Sequence, residues 1–280
     1  MEQIHTAEGL TFRARLAGPA DGRTVILLHG FPQTSRCWIG QLDALANARY
    51  RAIAFDQRGY SPAARPDEVA AYKPAALVRD VLEVADTLGA EQFDLVGHDF
   101  GGMVAWMVAG HHADRVRTLT IASTPHPAAF RATYERASSD QGERSGYMRA
   151  FRAGERGAME AALLADDAAN LRAIYAGLDA AAVEEYVSVL SEPGALVAAI
   201  DWYRSMSGAA SVAIPAATMP TLYVWSDNDP SLGREAAEAT EAHVTGSYRF
   251  VVLEGVGHWI PELAADRFTP LLLEHLAAAP

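Results

Sequence analysis

Cysteine is almost absent from this chain of 280 residues, where Cys37 stands alone. A single cysteine excludes an intrachain disulfide and a thiolate metal cluster, and it suits a reducing cytoplasm, the expected location. Positive charge is also scarce: 23 Lys and Arg face 35 Asp and Glu, a formal net charge of −12. Nothing in that balance would neutralise a phosphate backbone, so no nucleic-acid partner is expected. It equally disfavours docking on an anionic membrane and reads as a solubility device. No apolar run reaches the roughly 18 residues needed to cross a bilayer. Residues 1–5 lack a basic region followed by an apolar stretch, so no secretion signal is expected. No H-E-x-x-H pair, paired cysteines or phosphate-binding glycine loop occurs, and neither metal nor cofactor is expected. What is present is ordinary for a globular protein, with 50% apolar and 21% charged residues. The length suits one sizeable domain, or a core carrying an insertion.

The hydrophobic pattern alternates between strand and helix. Residues 10–16 (LTFRARL) alternate apolar and polar positions, as an edge strand would, whereas 24–28 (TVILL) form a run fit for burial on both faces. A helix is expected near 35–46, a strand at 51–55 and a helix at 74–88, where Leu77, Val81, Val84 and Leu88 share a face and Gly89 can end it. Strand 93–96, helix 100–109 and strand 117–122 follow. From about 128 to 211 the chain reads as alanine-rich helices and loops broken by Gly142, Gly146, Gly154, Gly157, Pro193 and Gly208. Strands resume at 221–225 (TLYVW) and 248–253 (YRFVVL), and a last helix is expected at 261–276. Alternation of this kind predicts a mostly parallel, doubly wound α/β sheet. The helical block is expected to be a cap subdomain, 128–211, inserted into a core formed by 1–127 and 212–280. It would sit over the carboxyl ends of the strands, where such sheets bind ligands.

Four loops carry the residues suited to chemistry. Gly97-His98-Asp99-Phe100-Gly101 lies between a buried strand and a helix, with small residues two before and two after Asp99. That is the pattern of a nucleophile elbow, usually built around serine. An Asp in this place is equally a plain helix N-cap on local sequence alone. His29-Gly30-Phe31-Pro32 follows strand 24–28, where a main-chain N–H can contribute to an oxyanion hole. Phe31 and Phe100 are the expected donors, and His29 is read as a structural histidine. Asp227 and Asp229 follow strand 221–225 in a turn-forming segment, and either can orient a histidine or simply make the turn. His258 lies in the glycine-rich loop 255–259 after the last strand and is the expected general base. Each piece alone is weak. Together, nucleophile, acid and histidine occur in the order of the α/β-hydrolase fold, each at the end of a strand.

A carboxylate nucleophile restricts the substrate. Attack by serine on a saturated carbon would leave an ether that water cannot cleave. Attack by aspartate leaves an ester, with a carbonyl that water can attack. Asp99 therefore points to an epoxide or an alkyl halide.

The chain resembles α/β-hydrolases throughout and is most similar to the epoxide hydrolases. The resemblance rests on HGFP at 29–32, DQRGYS at 56–61, GHDFGG at 97–102 followed by MVAW, and GHW at 257–259. It implies Asp229 rather than Asp227 as the acid. It also implies two cap tyrosines that hold and protonate the epoxide oxygen. Tyr203 matches one, in DWYRS at 201–205, and Tyr147 matches the other, in YMRAF at 147–151, with Tyr134 nearby as an alternative. Both tyrosines can instead be packing residues of a helical cap. Haloalkane dehalogenases usually bind halide through a tryptophan after the nucleophile and a polar side chain in the H-G loop, where this chain has Phe100 and Phe31. The arginine that follows the nucleophile in fluoroacetate-type dehalogenases is also missing. The expected substrate is thus a small, largely apolar epoxide in a pocket walled by Phe31, Pro32, Phe100, Trp202 and Trp259. A dehalogenase, an epoxide-opening cyclase and a non-catalytic ligand receptor are the rivals, and a homodimer is compatible with the sequence.

Overall fold

The computed structural model describes residues 1–206 and 213–279. Eight strands, β1 (Glu2–His5), β2 (Thr11–Ala17), β3 (Thr24–Leu28), β4 (Arg51–Phe55), β5 (Phe93–His98), β6 (Val116–Ala122), β7 (Thr221–Ser226) and β8 (Tyr248–Leu253), form one sheet. Their spatial order is β1-β2-β4-β3-β5-β6-β7-β8. At one edge β2 pairs antiparallel with both β1 and β4, and the pairings among β4, β3, β5, β6, β7 and β8 are all parallel. The apolar runs occupy the centre: every residue of β3, β5 and β7 is buried, as parallel strands covered on both faces require.

Helices α1 (Ile39–Asn47), α2 (Pro74–Thr87) and α3 (Phe100–His111) make the crossovers between β3 and β6. α3 is apolar nearly all round, because it packs along β3, β5 and β6 beneath other elements. Between β6 and β7 stand α4 (Pro127–Tyr134), α5 (Gln141–Arg144), α6 (Gly146–Ala153), α7 (Ala158–Ile174), α8 (Ala180–Leu190) and α9 (Ala195–Ser205). α10 (Arg234–Ala239), α11 (Ile260–Leu263) and α12 (Ala265–Ala278) complete the chain. The expected junction at 211/212 and Gly208 lie outside the described residues. No helix among the described residues is long and apolar enough to cross a membrane.

The α/β sheet and its helical block follow the pattern of the sequence, with three local differences. β1 has only four residues and buries only Ile4, too little for an alternation to be visible. The helix expected at 35–46 opens as a 3-10 turn, Ser35–Trp38, before α1. The last helix is divided at Ala264, whose φ of −131° and ψ of 32° lie outside the helical range.

Candidate active site

Asp99 stands where β5 ends and α3 begins, with φ 51° and ψ −121°. That backbone is strained for a residue with a Cβ, costing about 1–3 kcal/mol, and it lifts the side chain clear of the strand. Close approach makes the turn possible. A Cβ on Gly97 would lie 2.4 Å from the Gly101 carbonyl oxygen, and one on Gly101 would lie 2.2 Å from that of Leu28. Two further bonds fix the Asp99 main-chain oxygen: Thr124 Oγ1 donates at 2.8 Å and Met103 N–H at 3.0 Å. Asp99 makes no side-chain bond capping α3, so the N-cap alternative loses its hydrogen bond.

The Asp99 carboxylate meets three groups. Phe31 N–H donates to Oδ1 at 2.8 Å, and Phe100 N–H donates to the same carboxylate. His258 Nε2 stands 3.5 Å from Oδ2. Burial opposes the charge on Asp99, but the His258 ring and the Phe100 N–H outweigh it and hold the carboxyl below its usual range. On its far side, His258 Nδ1 lies 2.7 Å from Asp229 Oδ2. Asp229 Oδ1 accepts from the N–H groups of Ser231 and Leu232 at 2.8 and 3.0 Å. Burial works against the imidazolium, yet the carboxylates of Asp229 and Asp99 overcome it and raise His258 to about 10. Asp227 has the turn role instead, accepting the Gly255 N–H at 2.7 Å.

The loop that presents Phe31 N–H is held from behind by residues 56–61. Gln57 N–H donates to His29 Nε2 at 3.0 Å and its side-chain amide donates to the His29 carbonyl at 2.6 Å. His29 is thus buried and structural, as expected. Asp56 accepts the Ser35 N–H at 2.8 Å, and Arg58 makes a bidentate pair with Asp80, both nearly buried.

Two cavities of about 380 and 350 Å³ meet at Asp99, Tyr147 and Tyr203. The first runs past Phe31, Pro32, Ile174, His258, Trp259 and Leu263. The second runs past Phe100, Met103, Phe130, Met148 and Met206. Four of the five expected wall residues line one or the other. Trp202 does not: neighbouring positions on α9 point about 100° apart, so with Tyr203 facing the cavity, Trp202 turns inward. Its Nε1–H donates to the Arg58 carbonyl at 3.0 Å, and its ring meets the Phe100 ring at 5.4 Å.

The side chains of Tyr147, on α6, and Tyr203 are hydrogen-bonded to each other, and that of Tyr147 also to Ser231. Tyr203 is almost wholly buried, packed against Phe31, Phe100 and Phe151, whereas the Tyr147 residue is 37% exposed. Burial, with the Asp99 charge among its neighbours, pushes both phenols well above their usual range. They therefore remain protonated donors in the resting site. Tyr134 also lines the second cavity, but it stacks on Phe130 and its hydroxyl accepts from Arg149 at 3.4 Å. Thr124, Ser231 and Leu232 carry no sequence signal that marks them out. Two of them act through main-chain N–H groups, which leave no side-chain pattern.

Comparison with known proteins places the chain in a family. A profile of the alpha/beta hydrolase fold matches residues 23–265, and the chain belongs to that family. It is 30% identical to Epoxide hydrolase A of Mycobacterium tuberculosis, over 98% of this chain and 97% of that protein. Among solved structures, one described among novel epoxide hydrolases in metagenomes from hot environments is 30% identical, with a TM-score of 0.85 over 98% of this chain and 97% of that one. Epoxide Hydrolase A from Mycobacterium thermoresistibile is 26% identical, with a TM-score of 0.85 over 100% of this chain and 98% of that one.

Proposed function

We propose that the protein is an epoxide hydrolase that opens an epoxide to a vicinal diol through a covalent Asp99 ester. The observation that carries this reading is the position of Asp99, whose carboxylate meets main-chain N–H groups and His258 and lines the same cavities as the two phenols Tyr147 and Tyr203. Oδ1 is engaged by Phe31 N–H, leaving Oδ2 as the attacking oxygen. Oδ2 forms a bond to an epoxide carbon as that carbon's bond to the ring oxygen breaks. The departing oxygen takes a proton from Tyr203 or Tyr147, which an alkoxide needs and a halide does not. The ester carbonyl is then Oδ1, already in contact with its donor. His258, oriented by Asp229, takes a proton from water. The resulting hydroxide attacks the ester carbon, and Phe31 and Phe100 N–H groups stabilise the oxyanion. The proton that His258 holds at rest restores the phenolate. The proton it takes from water passes to Oδ2 as the Cγ–Oδ2 bond breaks, and the diol leaves with that oxygen. The new carboxyl gives its proton to His258, so Asp99 regains an oxygen from water and the resting charges return.

Ester formation itself prepares the base. It removes the Asp99 charge, one of the two that hold the proton on His258, so the ring moves towards the neutral form that hydrolysis requires. The apolar walls on both sides of Asp99 suit an epoxide carrying apolar substituents on both carbons. The dehalogenase alternative lacks side-chain N–H donors at Phe31 and Phe100. We further propose that 128–211 acts as the cap supplying the tyrosines. A single turnover in ¹⁸O-labelled water tests the chemistry. Label in the Asp99 carboxylate and unlabelled diol are expected; a first diol that carries the label, with none in Asp99, refutes the covalent route.

A further inference from the structure

Behind His258 lies a chain of side chains that the chemistry above does not use. His98 Nε2 is 2.9 Å from the main-chain oxygen of His258, which also accepts from Ser123 Oγ at 3.0 Å. His98 Nδ1 is 3.0 Å from one end of the Gln33 side-chain amide. The other end of that amide is 2.5 Å from the carboxyl group of Glu262, on α11.

Donors and acceptors along this chain fix its protons. A peptide oxygen only accepts, so His98 Nε2 carries a hydrogen. The Gln33 amide has one accepting and one donating end. With its oxygen towards His98, Nδ1 must also carry a hydrogen, His98 is an imidazolium, and the amide nitrogen donates to an ionised Glu262. With its nitrogen towards His98, the ring is neutral, and the amide oxygen faces a Glu262 that must be a carboxylic acid. Both arrangements contain one proton more than a neutral imidazole and a carboxylate. Without it, two lone pairs oppose each other at one end of the amide, in a largely buried setting where that mismatch is costly.

We propose that His98, Gln33 and Glu262 share this one proton, and that Glu262 is thereby a positioning residue for His258. While the proton is held, an unbroken hydrogen-bonded chain fixes the main chain of the base. When it is lost, one link becomes repulsive and the His258 loop is freed. This inference rests on the reading of His258 as the base.

Gln33 Oε1 stands towards His98 and Nε2 towards Glu262. The surroundings favour Glu262 as the resting place, which needs that amide turned over. Burial, assisted by the His258 ring 4.9 Å away, drives His98 down to about 4 despite the nearby charges of Asp99 and Asp229. Burial moves Glu262 the other way. Tyr186, Arg36 and, with its nitrogen towards Glu262, Gln33 favour the carboxylate and Asp179 disfavours it, while the neutral Cys37 and Tyr175 stand close by. With its oxygen towards Glu262, Gln33 favours the acid instead. The pair titrates as a unit.

Infrared difference spectra and ¹⁵N-histidine NMR at neutral pH read the proton directly. A carboxylic-acid band that disappears in Glu262→Gln, with a neutral Nε2–H tautomer at His98, is expected, and an imidazolium at His98 supports sharing equally. A neutral His98 beside an ionised Glu262 overturns it, whether or not any epoxide is turned over. The pH profile of kcat tests the positioning role. The wild type has an alkaline fall that Glu262→Gln, which keeps an N–H donor in place of the acid O–H, does not show. Glu262→Ala lowers kcat by about 10- to 100-fold with little change in KM, at a circular dichroism spectrum and Tm that verify folding. An alkaline fall identical in wild type and Glu262→Gln overturns that role.

Discussion

Gly30 offers the sharpest test of how Asp99, the proposed nucleophile, is held. A Cβ at this position would stand 2.3 Å from Asp99 Cβ, 2.6 Å from Oδ1 and 2.8 Å from Cγ. Carbon atoms settle at about 3.5–4.0 Å, so Gly30→Ala must open the gap between loop and nucleophile by more than about 1 Å. The displaced atoms are the ones that make the Phe31 N–H bond to Oδ1, now 2.8 Å long. An extra 1 Å breaks it. Loss of one oxyanion donor costs about 10²–10³ in kcat, and a misplacement of 1 Å costs about 10²-fold on its own. The expected fall in kcat is therefore about 10²–10⁴, with a smaller change in KM. Diol formation from an aryl epoxide, followed at saturating substrate, measures it. Gly89→Ala is the control: nothing lies within 4 Å of its added Cβ, but its φ of 70° makes the change strained. It should lower stability by about 1 kcal/mol and leave kcat unchanged. A Gly30→Ala enzyme with kcat within threefold of wild type refutes the argument that this contact sets the nucleophile's position.

Other perturbations have defined outcomes. Asp99→Asn removes a negative charge 3.5 Å from His258 Nε2, so the His258 pKa should fall from about 10 and its NMR titration should move to lower pH; an unmoved curve contradicts the coupling. Tyr203→Phe should lower epoxide turnover by about 10²-fold, and the double change Tyr147→Phe, Tyr203→Phe by about 10⁴-fold, if two phenols share the acid role; steady-state diol assays decide. Asp80→Ala leaves Arg58 nearly buried without its bidentate partner and should cost about 3–5 kcal/mol in urea denaturation.

Legibility in the sequence followed the range of the interactions. β3, β5 and β7 are visible because burial on both faces requires an unbroken apolar run, and β1 is not, because four edge residues with one buried side chain make no pattern. Asp99, Asp229 and His258 could be named because each stands just beyond a strand, where chain order and topology place it. The choice of Asp229 over Asp227 needed the resemblance, since both are acids in one turn, and only three-dimensional placement gives one the ring and the other the Gly255 N–H. Trp202 lines neither cavity although its sequence neighbour Tyr203 lines both, because adjacent positions on a helix do not share a face. The Gln33–Glu262 contact spans 229 positions and is invisible to any local pattern.

Asp99, Asp229 and His258 all hang from strand ends of the sheet, whereas Tyr147 and Tyr203 stand on helices inserted between β6 and β7. On the proposed chemistry the two half-reactions thus draw on different parts of the molecule. Making the ester needs both, and breaking it needs only the sheet. The helical block can then diverge in shape and in acid strength, altering which rings are opened, while the hydrolytic machinery beneath it is inherited intact. Substrate range and turnover of the intermediate become separable traits, each open to selection or to engineering without the other.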